Sequence, residues 1–303
     1  MDELTAIRHR YARMVLAAAG SSDQALEQAF ATVPRERFVG TRPWLIEGPL
    51  GFVTVSGDDP SVLYGDILVS LSAPRGINNG QPSLHARCLA ALRVQPGETV
   101  VHVGAGTGYY TAILAALVGP VGWVHAYEIE SDLAAIAESN LAAWPHVAVH
   151  AASACEGALP AADVVYVNAG ATHPLDAWLD ALVPGGRLLF PLTSDDGVGS
   201  MLLVTHFGAG HYAARFMCRV SFIPCQGARS PRDAQAIAAA FGKGKMSTVQ
   251  SLRRHTPPDG TAWCVGTGWW LSTAQVARED FGLPPQSPPG PSPGSSPGDS
   301  GRQ

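Results

Sequence analysis

The chain has 303 residues, of which 46% are hydrophobic and 15% are charged. A chain of this length and apolar content can bury a full core, either as one large domain or as two modest ones. Its formal net charge of -5 leaves no general basic surface for phosphate groups, which argues against nucleic acid as a partner.

The N-terminal third predicts helices followed by irregular structure. Apolar residues recur at helical spacing over residues 4–26, and a Ser-Ser-Asp break at residues 21–23 divides them into two helices. Residues 48–80 are rich in Gly, Ser, Pro and Asp, so we expect loops with brief strands such as residues 67–69. Pro82 then suits the first turn of a third helix, where a missing amide hydrogen costs nothing.

Strand and helix patterns alternate from residue 99 to residue 190, which predicts a parallel sheet covered by helices on both faces. The predicted strands are residues 99–103, 122–127, 147–150, 164–168 and 187–190, and the predicted helices are residues 110–118, 131–141 and 176–182. Residues 201–207 and 212–222 flank a Gly-Ala-Gly-His turn and predict an antiparallel hairpin. The predicted fold class is therefore α/β, with a doubly wound, mostly parallel sheet and an antiparallel terminal hairpin.

The C-terminal part is less regular, with one helix predicted over residues 232–241. Its tryptophans are expected to pack this extension onto the core, with an aromatic substrate wall as the alternative. These tryptophans are Trp263, Trp269 and Trp270. Residues 282–303 are rich in Pro, Ser and Gly and are expected to be disordered. The predicted division of the chain is residues 1–95 (helices and acceptor-side loops), 96–222 (core), 223–281 (extension) and 282–303 (tail).

The stretch VHVGAGTGYYT at residues 101–111 is the most informative motif. It predicts a strand, a tight glycine loop and a helix N-terminus, where free amides attract a negative group or a nucleotide-like cofactor. A dinucleotide fingerprint would need a glycine at position 109, where this chain has tyrosine. The motif therefore favours S-adenosylmethionine, with a glycine-rich turn that binds nothing as the alternative. The residues of this predicted cofactor loop are Gly104, Ala105, Gly106, Gly108 and Tyr109.

Glu128 ends the next predicted strand. In a nucleoside-binding unit, an acidic side chain at this place accepts hydrogen bonds from the two ribose hydroxyls. Glu130 is the competing carboxylate. A helix cap is the structural alternative for Glu128, although Ser131 or Asp132 is expected to cap the helix that follows.

Several phrases identify a resemblance. VHVGAGTGYYTAILAALVG, HAYEIE and LVPGGRLLFPL resemble the class I S-adenosylmethionine-dependent methyltransferases, which have a Rossmann-like fold. VPRERFVG at residues 33–40, LYGDILV at residues 63–69 and the Gln-Pro helix start resemble, more narrowly, the protein-L-isoaspartate O-methyltransferase family. The resemblance runs from about residue 4 to residue 222. It implies an enzyme that uses S-adenosyl-L-methionine to esterify carboxylates of isoaspartyl peptides.

The chain departs from that family pattern at the start of the third helix. Where family members usually read Thr-Ile-Ser-Gln-Pro, this chain reads Ile-Asn-Asn-Gly-Gln-Pro over residues 77–82. The hydroxyl expected near the transferred methyl group is missing, and Asn79 or Asn78 is the candidate to replace it. Gln81 is expected near the cofactor.

Two more departures concern the cofactor. Ser153 stands where the family commonly has a Gly-Asp-Gly carboxylate that meets the adenine amine, and its hydroxyl is expected to serve there. Asn168 stands where the family favours Thr-Ala-Ala after the fourth strand, and it is expected to contact the cofactor.

The acceptor decides whether a catalytic base is needed. A carboxylate is ionised at neutral pH and needs none, whereas a phenol, alcohol or ammonium must lose a proton. His85 and His173 are the candidate bases, although a single histidine is more often structural. Asp66 is expected to be a turn carboxylate, with acceptor binding as the alternative.

The favoured function is an O-methyltransferase acting on a carboxylate of a peptide, protein or small molecule. The alternatives are methylation of a specialised small molecule or ribosomal peptide, a cofactor-binding module without catalysis, and a nicotinamide-dependent oxidoreductase. Met1-Asp2-Glu3 is unlike a signal peptide and no apolar run is long enough to span a membrane, so the expected location is the cytosol. The cysteines lack zinc-site spacing, so no metal is expected, and they are expected to be buried small apolar residues. They are Cys88, Cys155, Cys218, Cys225 and Cys264.

Overall fold

The structure is a computed structural model, and it describes residues 3–276. The helices are α1 (Glu3–Ala19), α2 (Gln24–Thr32), α3 (Pro82–Leu92), α4 (Tyr109–Val118), α5 (Ser131–Leu141), α6 (Asp176–Asp180) and α7 (Pro231–Lys243). The strands are β1 (Trp44–Gly48), β2 (Gly51–Val55), β3 (Ser70–Ser72), β4 (Ile77–Asn78), β5 (Thr99–Val103), β6 (Trp123–Tyr127), β7 (Val147–His150), β8 (Ala162–Val167), β9 (Leu182–Thr193), β10 (Val198–Gly208), β11 (His211–Ser221), β12 (Ser251–Arg254), β13 (Ala262–Val265) and β14 (Trp269–Ser272). The tail predicted over residues 282–303 lies outside the described residues.

The described residues form a ten-stranded sheet in the order β13-β14-β12-β11-β10-β9-β8-β5-β6-β7. Strands β5 to β9 pair in parallel, with β5 lying between β6 and β8. The chain runs outward from β5 to β7 and then returns to the other side of β5 as β8. Ligands of such sheets bind beyond the carboxyl ends of the strands at this reversal. The predicted doubly wound α/β fold is confirmed.

The predicted antiparallel hairpin is confirmed as β10 and β11. Beyond it, β12, β14 and β13 continue the same sheet in antiparallel pairs, which the sequence pattern did not indicate. These strands are four residues each, too short for a clear alternation of apolar and polar residues. Trp269, in β14, belongs to the core cluster, and the half-buried Trp263 packs against that cluster, so these two tryptophans pack the extension onto the core. Trp270 is also buried in β14.

Several boundaries differ from the prediction. Residues 67–69 do not form a strand. Within this segment, Val69 makes an isolated β-bridge to Ile46. Strand β9 begins at Leu182, where the prediction still placed the preceding helix. That helix, α6, ends at Asp180 after five residues. Among residues 3–276, the helices are too short or too polar to cross a lipid bilayer.

A buried arginine fixes the loop that precedes α3. Arg35 lies in a short 3-10 helix after α2 and is fully buried. Its guanidinium donates to the carbonyl oxygens of Leu63, Gly65 and Ile67 at 2.5 to 2.9 Å. The segments that carry VPRERFVG and LYGDILV are therefore in direct contact, and they hold the chain that enters α3 against the core.

Candidate cofactor and acceptor site

The glycine loop joins β5 to α4 in a conformation that favours glycine. Gly104, Gly106 and Gly108 have φ angles of 75°, 56° and 97°, in the left-handed region that L side chains rarely adopt. A Cβ atom at Gly106 would lie 3.2 Å from Leu71 Cδ1, and one at Gly108 would lie 2.8 Å from Leu141 Cδ1. The loop is therefore both left-handed and tightly packed, as the motif predicts for a close approach to a ligand.

The amides at residues 104–106, which precede the start of α4, already form hydrogen bonds inside the protein. The amides of Gly104 and Ala105 donate to the carbonyl oxygen of Tyr127 at 2.9 and 3.1 Å. The Gly106 amide donates to Glu128 Oε2 at 2.7 Å. The neighbouring strand β6 ends beside the loop and supplies these acceptors, so the loop is already rigid before any ligand arrives.

Glu128 lies at the carboxyl end of β6, and its side chain is buried. Its second oxygen, Oε1, accepts a hydrogen bond from the Glu130 amide at 3.0 Å. Burial raises the pKa of Glu128, although the hydrogen bonds from backbone amides oppose this shift. A buried carboxylate held beside a glycine loop at this edge fits the predicted ribose contact.

The competing carboxylate Glu130 has a different role. It pairs with Arg75, which also binds Asp132. Glu130 occupies the N-cap position of α5, where Ser131 or Asp132 was expected. The ion pairs tie the β3–β4 hairpin to the start of α5, so Glu130 is already paired and Glu128 remains the candidate for the ribose contact.

A cavity of about 830 Å³ opens next to the glycine loop. It brings together most of the predicted site residues, namely Asn78, Asn79, Gln81, His85, Gly104, Ala105, Gly106, Tyr109 and Asn168. Within the described part of the chain, Gly108, Glu128 and Ser153 do not line it. Glu128 instead holds the loop by accepting the Gly106 amide, and Gly108 packs against Leu141.

Two asparagine side chains in the cavity wall each have a buried polar atom without a hydrogen-bond partner among the described residues. Asn79 Oδ1 accepts a hydrogen bond from the Val69 amide at 2.8 Å, while Asn79 Nδ2 has no partner among residues 3–276. Asn168 Nδ2 contacts His102 Nε2 at 2.7 Å, while Asn168 Oδ1 has no partner in the same range. An unpaired buried polar atom costs about 1–3 kcal/mol. A bound molecule that met these two atoms would recover that free energy.

His85 faces the cavity as a neutral imidazole. It stacks on Tyr110 with ring centroids 3.6 Å apart, and its Nδ1 hydrogen-bonds the Tyr166 hydroxyl at 2.7 Å. Burial lowers the pKa of His85 well below its usual range, and the nearby His102 and Arg35 lower it further. His85 is therefore a weak base for removing a proton from an acceptor.

Gly80 occupies the position of the missing hydroxyl. When the chain is aligned with the family phrase on Gln81 and Pro82, Gly80 takes the place of the serine. Its φ is +72°, and a Cβ atom there would lie 2.1 Å from His85 Nε2. The imidazole fills the space of a side chain at this position. Asn78 supports the turn, because its Oδ1 accepts the Gly80 amide at 2.9 Å.

Asp66 has the structural role that the sequence favours. Its Oδ1 accepts the Ser83 amide at 2.8 Å, and its Oδ2 accepts the Ser83 hydroxyl at 2.7 Å. Gln81 Nε2 donates to the same carboxylate at 3.0 Å. The three side chains fix the start of α3, so Gln81 is held at the rim of the cavity by Asp66.

Two candidates lie apart from this cavity. The Ser153 hydroxyl accepts the Cys155 amide at 3.1 Å in the loop after β7. His173 was a candidate base, but it lines a second cavity of about 440 Å³ together with Asp233. Its Nδ1 contacts Thr172 Oγ1 at 3.1 Å. His173 is therefore not placed to act on an acceptor beside the glycine loop.

The far wall of the cavity was not predicted from the sequence; it is formed by the end of β11 and the residues after it, 218–223. Two arginines of the lining were not predicted either, Arg87 on α3 and Arg219 on β11. They are the only charged side chains of the lining among the described residues. Neither lies in a motif, and only the pairing of β11 into the sheet brings Arg219 to this edge.

Buried histidines should make the protein sensitive to acid. Burial lowers the pKa of His102 to about 3, so the folded state keeps it neutral while the unfolded state protonates it below about pH 6.5. Its contribution to stability is complete above that pH and is lost as the pH falls toward 3, by about 1.4 kcal/mol per pH unit. Urea unfolding at pH 6 and pH 5 measures this loss. In His102→Gln, the difference in the free energy of unfolding between pH 6 and pH 5 should be smaller by about 1.4 kcal/mol. An unchanged difference would contradict a neutral, buried His102.

The residues present fit S-adenosylmethionine. The close-packed glycine loop, the carboxylate of Glu128 and the unpaired Asn168 Oδ1 all lie at the carboxyl edge of β5, β6 and β8. A carboxylate suits ribose hydroxyls, and a carbonyl oxygen suits an amino group.

Comparisons with known proteins agree with this geometry. The family model described as Protein-L-isoaspartate(D-aspartate) O-methyltransferase (PCMT) matches residues 52–230. Protein-L-isoaspartate O-methyltransferase 2 of Marinobacter nauticus is 30% identical over 233 residues, which span 75% of this chain and 95% of the relative. Protein-L-isoaspartate O-methyltransferase 1 of Rhodopseudomonas palustris (strain HaA2) is 28% identical over 231 residues, which span 75% and 86%.

Two solved structures share the fold. One is named protein-L-isoaspartate O-methyltransferase and matches with a TM-score of 0.62 at 21% identity. The match covers 78% of this chain and 69% of the chain in that structure. The other is a Plasmodium falciparum structure described by the same activity, in complex with S-adenosyl-L-homocysteine. It matches with a TM-score of 0.59 at 18% identity, over 73% of this chain and 98% of the chain in that structure. The family model matches more than half of this chain. The chain therefore belongs to the protein-L-isoaspartate O-methyltransferase family and is an S-adenosylmethionine-dependent methyltransferase.

Proposed function

We propose that this enzyme esterifies the free carboxylate of isoaspartyl residues in peptides or proteins. The observation that carries the proposal is the charge of the cavity lining. Arg87 and Arg219 stand on its walls, and the described lining residues include no carboxylate. A cavity of this charge suits an anionic acceptor, and the relatives are named for such an acceptor, the isoaspartyl carboxylate.

The two arginines are available to an incoming acceptor. Both are exposed, and among the described residues neither forms an ion pair with a carboxylate. Arg87 donates a long hydrogen bond to the Ala18 carbonyl at 3.3 Å. Exposed ion pairs contribute about 1 kcal/mol or less, so these residues are expected to attract and orient the acceptor.

The chemistry needs orientation more than a base. When bound, S-adenosylmethionine supplies an electrophilic methyl group, which an ionised carboxylate oxygen attacks without first losing a proton. Asn79 Nδ2 is the buried donor assigned to that carboxylate, and Asn168 Oδ1 is the acceptor assigned to the amino end of the cofactor. The apolar side chains of Leu68, Leu71 and Leu84 in the cavity wall exclude water around the reacting groups.

The proposal is tested with two synthetic peptides of one sequence, one with isoaspartate and one with ordinary aspartate. We expect transfer of labelled methyl from S-adenosylmethionine to the isoaspartyl peptide as a base-labile ester, and little transfer to the aspartyl peptide. Equal labelling of both, or label that survives mild base, would overturn the proposed acceptor.

Arg219→Ala is expected to raise the KM for isoaspartyl peptide by roughly 2- to 5-fold with little change in kcat, because an exposed charge is lost. The effect should shrink at high salt. Arg215→Ala removes another exposed arginine of β11 that does not line the cavity and is the matched control. Equal KM values for the two variants would contradict the role of Arg219.

We also propose the cytosol as the location of the enzyme. The five cysteines are all free thiols, which supports this location because thiols stay reduced there.

A further inference from the structure

Two of the five cysteines lie together, although they are far apart in the sequence. The Sγ atoms of Cys155 and Cys225 are 3.6 Å apart. Cys225 is buried, as expected for a small apolar residue, but Cys155 is half-buried, and so is Cys218. The sequence gives no sign of this pair, because its residues belong to different loops.

The fold holds the two thiols in place from both sides. Cys155 follows β7, and its amide donates to Ser153 Oγ at 3.1 Å. Cys225 follows β11, and its amide donates to the Gly170 carbonyl at 2.9 Å. Gly227 permits the contact, because its φ is +87° and a Cβ atom there would lie 2.9 Å from Cys155 Cβ. A side chain at this position would press against Cys155.

We propose that Cys155 and Cys225 form a reversible disulfide in response to peroxide, and that the disulfide weakens cofactor binding. The Cys155 thiolate attacks one peroxide oxygen, which gives a sulfenic acid and releases hydroxide. The Cys225 thiol then attacks the sulfenic sulfur, forms the S–S bond and releases water. Overall, two thiols lose two electrons and two protons, and one peroxide becomes two waters.

The surroundings of the two thiols indicate which of them attacks the peroxide first. A hydrogen bond from the Cys225 thiol lowers the pKa of Cys155, which outweighs the opposing effect of burial. Cys155 is also the more exposed of the two. It is therefore the attacking residue, and Cys225 is the resolving residue.

The disulfide would change the walls of the site. A disulfide requires about 2.05 Å between sulfur atoms, so the two Sγ atoms, which are 3.6 Å apart, must approach each other by roughly 1.5 Å. Phe222 and Ile223, which line the main cavity, lie just before Cys225. Ser153, the residue predicted near adenine, is hydrogen-bonded to Cys155. Closing the pair therefore acts on the segment that carries Phe222 and Ile223 in the far wall of the cavity.

The test treats the whole protein with hydrogen peroxide, alkylates the remaining thiols and maps the peptides by mass spectrometry. We expect one disulfide, between Cys155 and Cys225, that dithiothreitol reverses. Calorimetry with S-adenosylhomocysteine should show affinity reduced by about fivefold or more in the oxidised protein and restored on reduction. Both readouts are independent of the acceptor, so they stand apart from the isoaspartyl assay.

Cys155→Ser and Cys225→Ser should lose the disulfide and the peroxide effect on affinity, whereas Cys264→Ala should keep both. Mapping of the unmodified chain tests the pairing even if a variant folds poorly. Peroxide products without a Cys155–Cys225 bond would overturn the proposal. A disulfide that leaves the affinity unchanged would overturn its link to the cofactor.

Discussion

Gly106→Val is expected to abolish binding of S-adenosylhomocysteine. Gly106 has a φ of +56°, which a β-branched residue adopts only with strain, and a Cβ atom there would lie 3.2 Å from Leu71 Cδ1. Its amide also donates to Glu128, so a shift of the loop would move the carboxylate assigned to the ribose. Isothermal titration calorimetry should detect no binding heat, while circular dichroism should show a folded protein.

The matched control is Gly20→Val. Gly20 has a φ of +69°, and a Cβ atom there would have no neighbour within 4 Å. It shares the backbone strain of Gly106 but lies between α1 and α2. This variant should be somewhat less stable and should bind S-adenosylhomocysteine normally. If Gly106→Val also bound normally, the glycine loop would not be the cofactor site.

Glu128→Ala is expected to weaken S-adenosylhomocysteine binding by about 1–3 kcal/mol, which is roughly 5- to 150-fold in Kd. The variant loses the acceptor assigned to the ribose and the bond that holds the Gly106 amide at 2.7 Å. Calorimetry measures the change. Glu130→Ala is the control, because that neighbouring carboxylate is paired with Arg75 and should leave the Kd nearly unchanged. The assignment fails if the two variants bind equally.

The pH dependence of S-adenosylhomocysteine binding provides a second test of the role of Glu128. Burial raises the pKa of this carboxyl, so it becomes protonated at a higher pH than an exposed glutamate. The ionised form is the acceptor for ribose hydroxyls, so affinity should fall as the pH is lowered toward this raised pKa. Glu128→Gln cannot titrate and should lose that part of the pH dependence.

The sequence was sufficient for features that depend on local patterns. A β-branched run followed by glycines predicted β5, the cofactor loop and α4, and the position of Glu128 followed from the next strand. Helix α5 was predicted with its observed bounds, Ser131–Leu141. In these segments hydrophobic periodicity, glycine and the strand-to-helix order all agree, which makes local prediction effective.

Features that depend on long-range pairing could not be predicted. The loop amides bond to Tyr127 and Glu128 because β5 and β6 pair in one particular register. Arg219 reaches the cavity only through the pairing of β11 in the sheet. The side chain of His85 fills the space beside Gly80, and no pattern along the chain reports that contact. Each of these depends on residues far apart in sequence.

We infer that the ribose of the nucleoside binds at the Glu128 carboxylate, which lies beside the glycine loop, and that the reacting end lies in the cavity beside Asn79 and His85. A crystal structure with S-adenosylhomocysteine tests it most directly. The account predicts that both ribose hydroxyls hydrogen-bond the Glu128 carboxylate and that the sulfur faces Asn79. A nucleoside bound elsewhere, or a Glu128 that keeps only its bonds to Gly106 and Glu130, would contradict it.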